Sequence, residues 1–283
     1  YSTPMVGATA MGTLSLQLDK LIVSSLCPPE EFAVYVNGAI EIPLVAILSG
    51  SITAVIQPEL RRMVVAEDFE GAVGLFRTAA TKSAVVLMPV MVFMFLSAEP
   101  FILTLFSSKY SGSVLPFQMY LLPLAARIVN YGAFMMALGL NRLIMYRAGI
   151  SLAVNALLGV VLVSWLGYIG AIVSTVVCVY SIDVALSLAA ISRATKSRWW
   201  RVLPLRNVGQ MLGAALLAGV PVVALDALPL TSPPFVALAM NAAVYAGALT
   251  AVAWLLPIEP LRAELRGVRS RFVGLLARLQ KVR

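Results

Sequence analysis

Residues 145–166, MYRAGISLAVNALLGVVLVSWL, and residues 168–191, YIGAIVSTVVCVYSIDVALSLAAI, are two apolar runs with only Gly167 between them. Each exceeds the ~18 residues that suffice for a membrane-crossing helix. A one-residue connection makes the pair an antiparallel hairpin. Arg142 and Arg147 stand at the start of the first run and Arg193 follows the second, while the turn carries no charge. The basic ends of the hairpin therefore share one side of the membrane.

Working outward, six more runs of this kind occur at 3–26, 33–58, 83–106, 114–139, 207–226 and 234–256. The connections sort into two sets. Those at 59–82, 140–147, 192–206 and 257–283 hold all of the 21 Lys and Arg except Lys20, Lys109 and Arg127. The opposite connections, 27–32, 107–113, 167 and 227–233, hold Lys109 alone. Cytoplasmic loops collect positive charge, so the basic set and both chain ends are expected in the cytoplasm. The fold class that follows is all-α: a polytopic bundle of about eight transmembrane helices.

Composition agrees. The chain is 60% hydrophobic and 12% charged, against about 45–50% and 25% in soluble domains. The net charge of +8 is accounted for by the sorting of the loops, so nucleic acid is not an expected partner. There is no histidine, which removes the commonest general base and metal-binding imidazole. Cys27 and Cys178 have no disulfide or metal-site spacing. No nucleophile–base pair stands out, so neither an enzyme nor a metal or cofactor site is expected. The sequence begins at Tyr1 without a signal peptide and reads as part of a longer membrane protein.

Polar residues inside the spans are the candidates for function, because a charge within a span costs ~2.5–3.5 kcal/mol and faces protein or a cavity. Arg127 is the foremost, its guanidinium fork suiting phosphate; a structural pair with Glu41 or Asp19 is the competing role. In the first span Thr9, Thr13, Gln17 and Lys20 step by four, four and three and share one face, with Asp19 off that stripe. Thr13, Gln17, Lys20, Asp19, Asn37, Glu41, Asn130 and Arg127 make up the candidate cavity set. Lys20 has the alternative of reaching the interface, and Glu41 that of carrying a proton. Asp19, Asn155, Thr175 and Asp183 offer hard oxygen ligands for a coupling cation such as sodium, although Asp183 could instead meet Arg193. Tyr35, Tyr131 and Tyr180 could stack on sugars, but interface or packing roles are commoner. Trp199 and Trp200 among Lys and Arg fit a headgroup-level anchor. The tail 261–283 reads as a cationic amphipathic helix lying on an anionic surface.

Four stretches carry a family resemblance. They are Leu18-Asp19-Lys20-Leu21-Ile22-Val23 with Phe32-Ala33-Val34-Tyr35; Gln57-Pro58-Glu59-Leu60 with the acidic cluster after it; Met88-Pro89 with 98–106, AEPFILTLF; and Tyr168-Ile169-Gly170-Ala171. In order and spacing, over roughly 1–193, they resemble the second half of the multidrug/oligosaccharidyl-lipid/polysaccharide flippase superfamily. The nearest branch is that of the bacterial polysaccharide repeat-unit flippases. The fourth stretch departs from the family pattern in lacking its second glycine, with Ile169 between Tyr168 and Gly170.

The resemblance implies three parts: a six-helix transport lobe over 1–193, a basic loop with an appended helix pair over 194–256, and a tail over 257–283. It implies translocation of a polyprenyl-diphosphate-linked oligosaccharide for O-antigen, capsule or exopolysaccharide synthesis. Its expected partners are that lipid-linked sugar, membrane lipids, an N-terminal lobe of the same protein and other polysaccharide assembly proteins. The rivals are a cation-coupled multidrug exporter of the same superfamily, a membrane glycosyltransferase or polymerase, and a non-transporting scaffold.

Overall fold

A computed structural model of the chain describes residues 2–40, 42–228 and 232–256. Every regular element among them is helical. Seven helical segments are long and apolar enough to cross a membrane by length and composition, so this is a multi-pass membrane protein. The helix α1 (Ser2–Leu26) is also long enough, but Gln17, Asp19 and Lys20 make it too polar to join the seven. It supplies the eighth expected crossing only in length.

Several expected spans are broken. The run 33–58 divides into α2 (Pro29–Gly38) and α3 (Pro43–Val65), with Pro43 opening the second helix. The end of α2 abuts the following bundle closely. A Cβ on Gly38 would lie 2.5 Å from Pro116 Cβ and 2.9 Å from the Ser113 carbonyl oxygen. The expected loop 59–82 is helical almost throughout. Only Ala66, Glu67 and Asp68 separate α3 from α4 (Phe69–Leu96), and the Asp68 carboxylate caps α4 by accepting from the Gly71 amide at 2.8 Å. Both helices therefore run on past the apolar segments that hydropathy marks.

The run 83–106 ends α4 at Leu96 and resumes after Ser97 as α5 (Ala98–Phe106). The Gln118 side-chain amide donates to the Phe95 carbonyl at 2.9 Å beside that break. A 3₁₀ turn leads into α6 (Val114–Tyr120), α7 (Leu122–Ala126) and α8 (Tyr131–Ala137). The expected single span 114–139 is thus three short helices, the largest interruption being the four residues 127–130. Pro116 and Pro123 supply no amide hydrogens and favour such breaks.

The opening hairpin is close to expectation. It comprises α9 (Asn141–Leu166) and α10 (Tyr168–Cys178), continuing through a π segment (Val179–Val184) into α11 (Ala185–Ala194). A Cβ on Gly170 would sit 2.2 Å from the Leu162 carbonyl oxygen, so α10 crosses α9 at backbone contact and glycine is required there. The basic connection forms the short helix α12 (Trp199–Val202), with Arg198 over the Trp200 ring at 4.1 Å. Then come α13 (Leu205–Asp226) and α14 (Pro234–Leu255).

The central helix is α4. Half of its most apolar stretch is buried, against 11% for α14 at the periphery. One core joins α3, α4, α8, α11 and α13 around Phe76 and Phe134; another joins α1, α2, α9 and α10 around Val23 and Tyr35. Val92 of α4 packs against Ala215, Ala218 and Val222 of α13 and Tyr245 of α14. Trp165, at 79% exposure, and Trp254, at 77%, mark the ends of α9 and α14, where indole rings suit the headgroup level. The proposed tail helix at 261–283 lies outside the described residues.

Candidate functional site

Two of the helix breaks open onto one cavity of about 480 Å³. Unwound backbone within a membrane is tolerated where it is buried in protein or lines such a space. Ile40 and Ile42 border it from the α2–α3 break, and Arg127, Val129 and Asn130 from the α7–α8 break. The opposite wall is α1, α9 and the α10–α11 helix.

Six of the residues singled out in the sequence meet here: Asp19, Arg127, Asn130, Asn155, Thr175 and Asp183. Thr13, Gln17, Lys20 and Asn37 do not line the cavity, and Glu41 lies outside the described residues. On α1 the cavity face is Gly12, Ser15 and Asp19, spaced by three and four. The polar stripe with Thr9, Thr13 and Gln17 is exposed instead. The α1–α9 packing decides this, and the spacing of polar residues does not reveal it.

Asp19 is 3% exposed. Its Oδ2 accepts from the Tyr35 hydroxyl at 2.9 Å, and its Oδ1 is buried without a hydrogen-bond partner. The hydroxyl oxygen of Thr175 is in the same condition. Asn155, also buried, accepts from the Ser174 hydroxyl at 2.9 Å. These are hard oxygens on three helices, α1, α9 and α10.

Arg127 caps the end of α7, in the unwound segment, and lines the cavity together with Asp183. Asn130 caps α8, its side-chain oxygen accepting from the Ala133 amide at 3.1 Å. The expected partner for Asp183 needs correction. Asp183 pairs with Arg147, not Arg193: Arg147 Nε is 3.7 Å from Asp183 Oδ1. That is an ion pair without a hydrogen bond, and Nε has no hydrogen-bond partner. The Ser151 hydroxyl donates to Asp183 Oδ2 at 3.2 Å, and Arg147 Nη1 donates to the Ser187 hydroxyl.

Arg147 and Ser151 are the site residues that the sequence did not mark. Arg147 counts as a loop residue by charge sorting, yet it sits on the second turn of α9 and reaches the cavity. The one available signal was its spacing of four from Ser151 and eight from Asn155, which puts all three near one face of the helix.

The π segment aims Asp183. On a regular helix, Thr175 and Asp183 are eight residues and so about 80° apart. A π turn takes up one extra residue, about a 100° step, and reduces the offset to about 20°. Both side chains then face the cavity.

The tyrosines are engaged within the protein. Tyr131 lines the cavity but packs on Phe76 at 6.1 Å between ring centroids, and the Tyr180 hydroxyl donates to the Leu122 carbonyl at 2.7 Å.

Residues 1–115 match a family described as "Polysaccharide biosynthesis protein". That stretch holds α1 to α5 and the Asp19–Tyr35 pair, while the arginines of the cavity lie beyond it. No curated protein and no solved structure matches the chain.

Proposed function

We propose that this chain forms one lobe of a transporter that moves a polyprenyl-diphosphate-linked oligosaccharide across the bacterial inner membrane. In this reading it is a flippase of polysaccharide biosynthesis and not an enzyme. The observation that carries it is the cavity, where Arg127 and Arg147 stand among hydroxyl and amide groups at broken helices. Guanidinium groups suit a diphosphate, and hydroxyls and amides suit sugars. The similarity of residues 1–115 to polysaccharide biosynthesis proteins supports the pathway. The exposed Thr9, Thr13 and Gln17 on α1 support an opposing wall, since a polar stripe is poorly matched to lipid. In this reading the wall is a second lobe, and the lobes rock around the cavity.

The test is export. Cells carrying Arg127→Ala should lose surface polysaccharide and accumulate the lipid-linked precursor while the protein inserts at normal abundance. Undiminished export at normal abundance would sink the reading.

Asp19 Oδ1 and the Thr175 hydroxyl, both buried without partners, support a coupling cation in the same cavity. Asn155 is the third ligand, and Asp183, engaged by Arg147 and Ser151, is removed from the set. Equal transport in sodium-free and sodium-rich buffer, at fixed pH and potential, would exclude sodium. The two carboxylates also give a cation-coupled exporter of organic cations its only specific support. That rival predicts loss of drug export, with polysaccharide unaffected, on Asp19→Asn.

A further inference from the structure

The Asp183 carboxylate lines one cavity with Arg147 and Arg127 and satisfies Arg147 poorly. It stands 3.7 Å from Arg147 Nε, beyond hydrogen-bond length, and its other oxygen accepts one long bond, 3.2 Å, from Ser151. Arg147 Nε keeps an unused donor in a buried position. Ser187 meanwhile fixes the far end of the same guanidinium, and its hydroxyl is itself tied to the Asp183 backbone carbonyl. Arg147 is thus held in place while its inward edge is only loosely matched. Arg127, on the unwound segment between α7 and α8, lines the same cavity.

We propose that Asp183 is a resident counter-ion: it occupies an anion site built by Arg147 and Arg127, and a phosphate-bearing ligand binds by displacing it. The inference rests on the flippase reading and adds the control of affinity at that site. Phosphate oxygens offer the short, paired acceptors that a guanidinium edge takes best, and that Asp183 does not supply in this arrangement. The carboxylate stays anchored through the π segment and returns when the ligand leaves. Its competition lowers affinity, which a transporter needs, since a site that binds too tightly does not release on the other side. The π segment sets this up, because it aims Asp183 at the arginines.

The experiment uses the full-length protein in nanodiscs, with farnesyl diphosphate as probe and farnesol as the uncharged control. Asp183→Asn should bind the diphosphate about tenfold more tightly than wild type, the change that ~1.4 kcal/mol produces. Asp183→Glu, which keeps the charge, should stay near wild type, and farnesol binding should be the same in all three. If Asp183→Asn binds the diphosphate no more tightly, while the Arg127→Gln/Arg147→Gln double variant loses it, the counter-ion proposal fails and the diphosphate site stands. If the double variant binds the diphosphate as wild type does, both fail. Should Asp183→Asn not accumulate, Ser151→Ala serves in its place. It frees one oxygen of Asp183 without touching either arginine and should tighten diphosphate binding about two- to threefold, by a few tenths of a kcal/mol. Unchanged or weaker binding there overturns the proposal.

Discussion

The Tyr35 hydroxyl donates to Asp19 Oδ2 at 2.9 Å, joining α1 to α2 inside a buried apolar cluster. This bond holds the carboxylate of a residue that lines the cavity, and leaves its second oxygen buried without a hydrogen-bond partner. Tyr35→Phe removes the donor and leaves Asp19 without that hydrogen bond in a place where water is scarce. A hydrogen bond to a charged group is worth about 1.5–3 kcal/mol. The variant should therefore melt at a lower temperature than wild type in detergent, and an unchanged midpoint would show that Tyr35 contributes packing alone.

If a cation seats on Asp19 Oδ1 and Thr175, it stabilises the folded protein by mass action. Sodium at a hundredfold excess over its dissociation constant would contribute about 2.7 kcal/mol. Wild type should melt higher in sodium chloride than in choline chloride of equal strength, and Asp19→Asn should not distinguish the two salts. Identical melting of wild type in both would remove sodium from the site.

Gly170→Ala places a methyl group 2.2 Å from the Leu162 carbonyl oxygen, which α9 cannot yield without moving its backbone. Overpacking of this kind costs about 1–3 kcal/mol or more. Abundance in the membrane should fall. Gly209→Ala in α13, with no heavy atom within 4 Å, serves as the control and should hold or raise abundance, as alanine favours helix.

Sidedness is tested by cysteine labelling. Lys109 and Glu67 are both exposed and stand in connections of opposite sets. Lys109→Cys should react with an impermeant maleimide from the outside of intact cells, and Glu67→Cys only after the inner membrane is opened. The native Cys27 makes a poor competitor, since burial and the neighbouring Glu31 push its thiol above the usual range and leave less thiolate to react. Labelling of Glu67→Cys in intact cells would invert the topology.

The hairpin at Gly167 and the helices α13 and α14 were legible in the sequence, because their apolar runs are long and their ends are marked by glycine, proline or charge. The breaks were not. Pro43 predicts a kink, but whether the chain unwinds beside it depends on Gly38 pressing against Pro116, a contact between distant segments. The 127–130 break was hidden because Arg127 and Asn130 sit in an otherwise apolar run that reads as one helix. Six candidate residues came together because buried oxygen-bearing and charged groups in membrane helices congregate. The stripe on α1 was read as the cavity face because spacing reveals which residues share a face, but not which neighbour that face meets. Arg147 was missed for a related reason: charge sorting assigns an arginine near a span end to the loop, while the Asp183 carboxylate draws it inward.

The π segment at Val179–Val184 also makes length a determinant of electrostatics. Wound as an ordinary helix at its present length, the chain would turn Asp183 about 80° from Thr175 and away from the arginines, with every side chain at the cavity still chemically present. With one residue removed it would keep Asp183 on the same face, since seven residues of ordinary helix also bring it to within about 20°. A sequence comparison scored by residue identity would count chains with a gap of one or two columns there as conserved at Asp183, Arg147 and Arg127. A gap about one column wide would mark a straight helix with the same electrostatics, whereas a gap of about two columns, about 120° of turn, would mark a chain whose acidic group faces elsewhere.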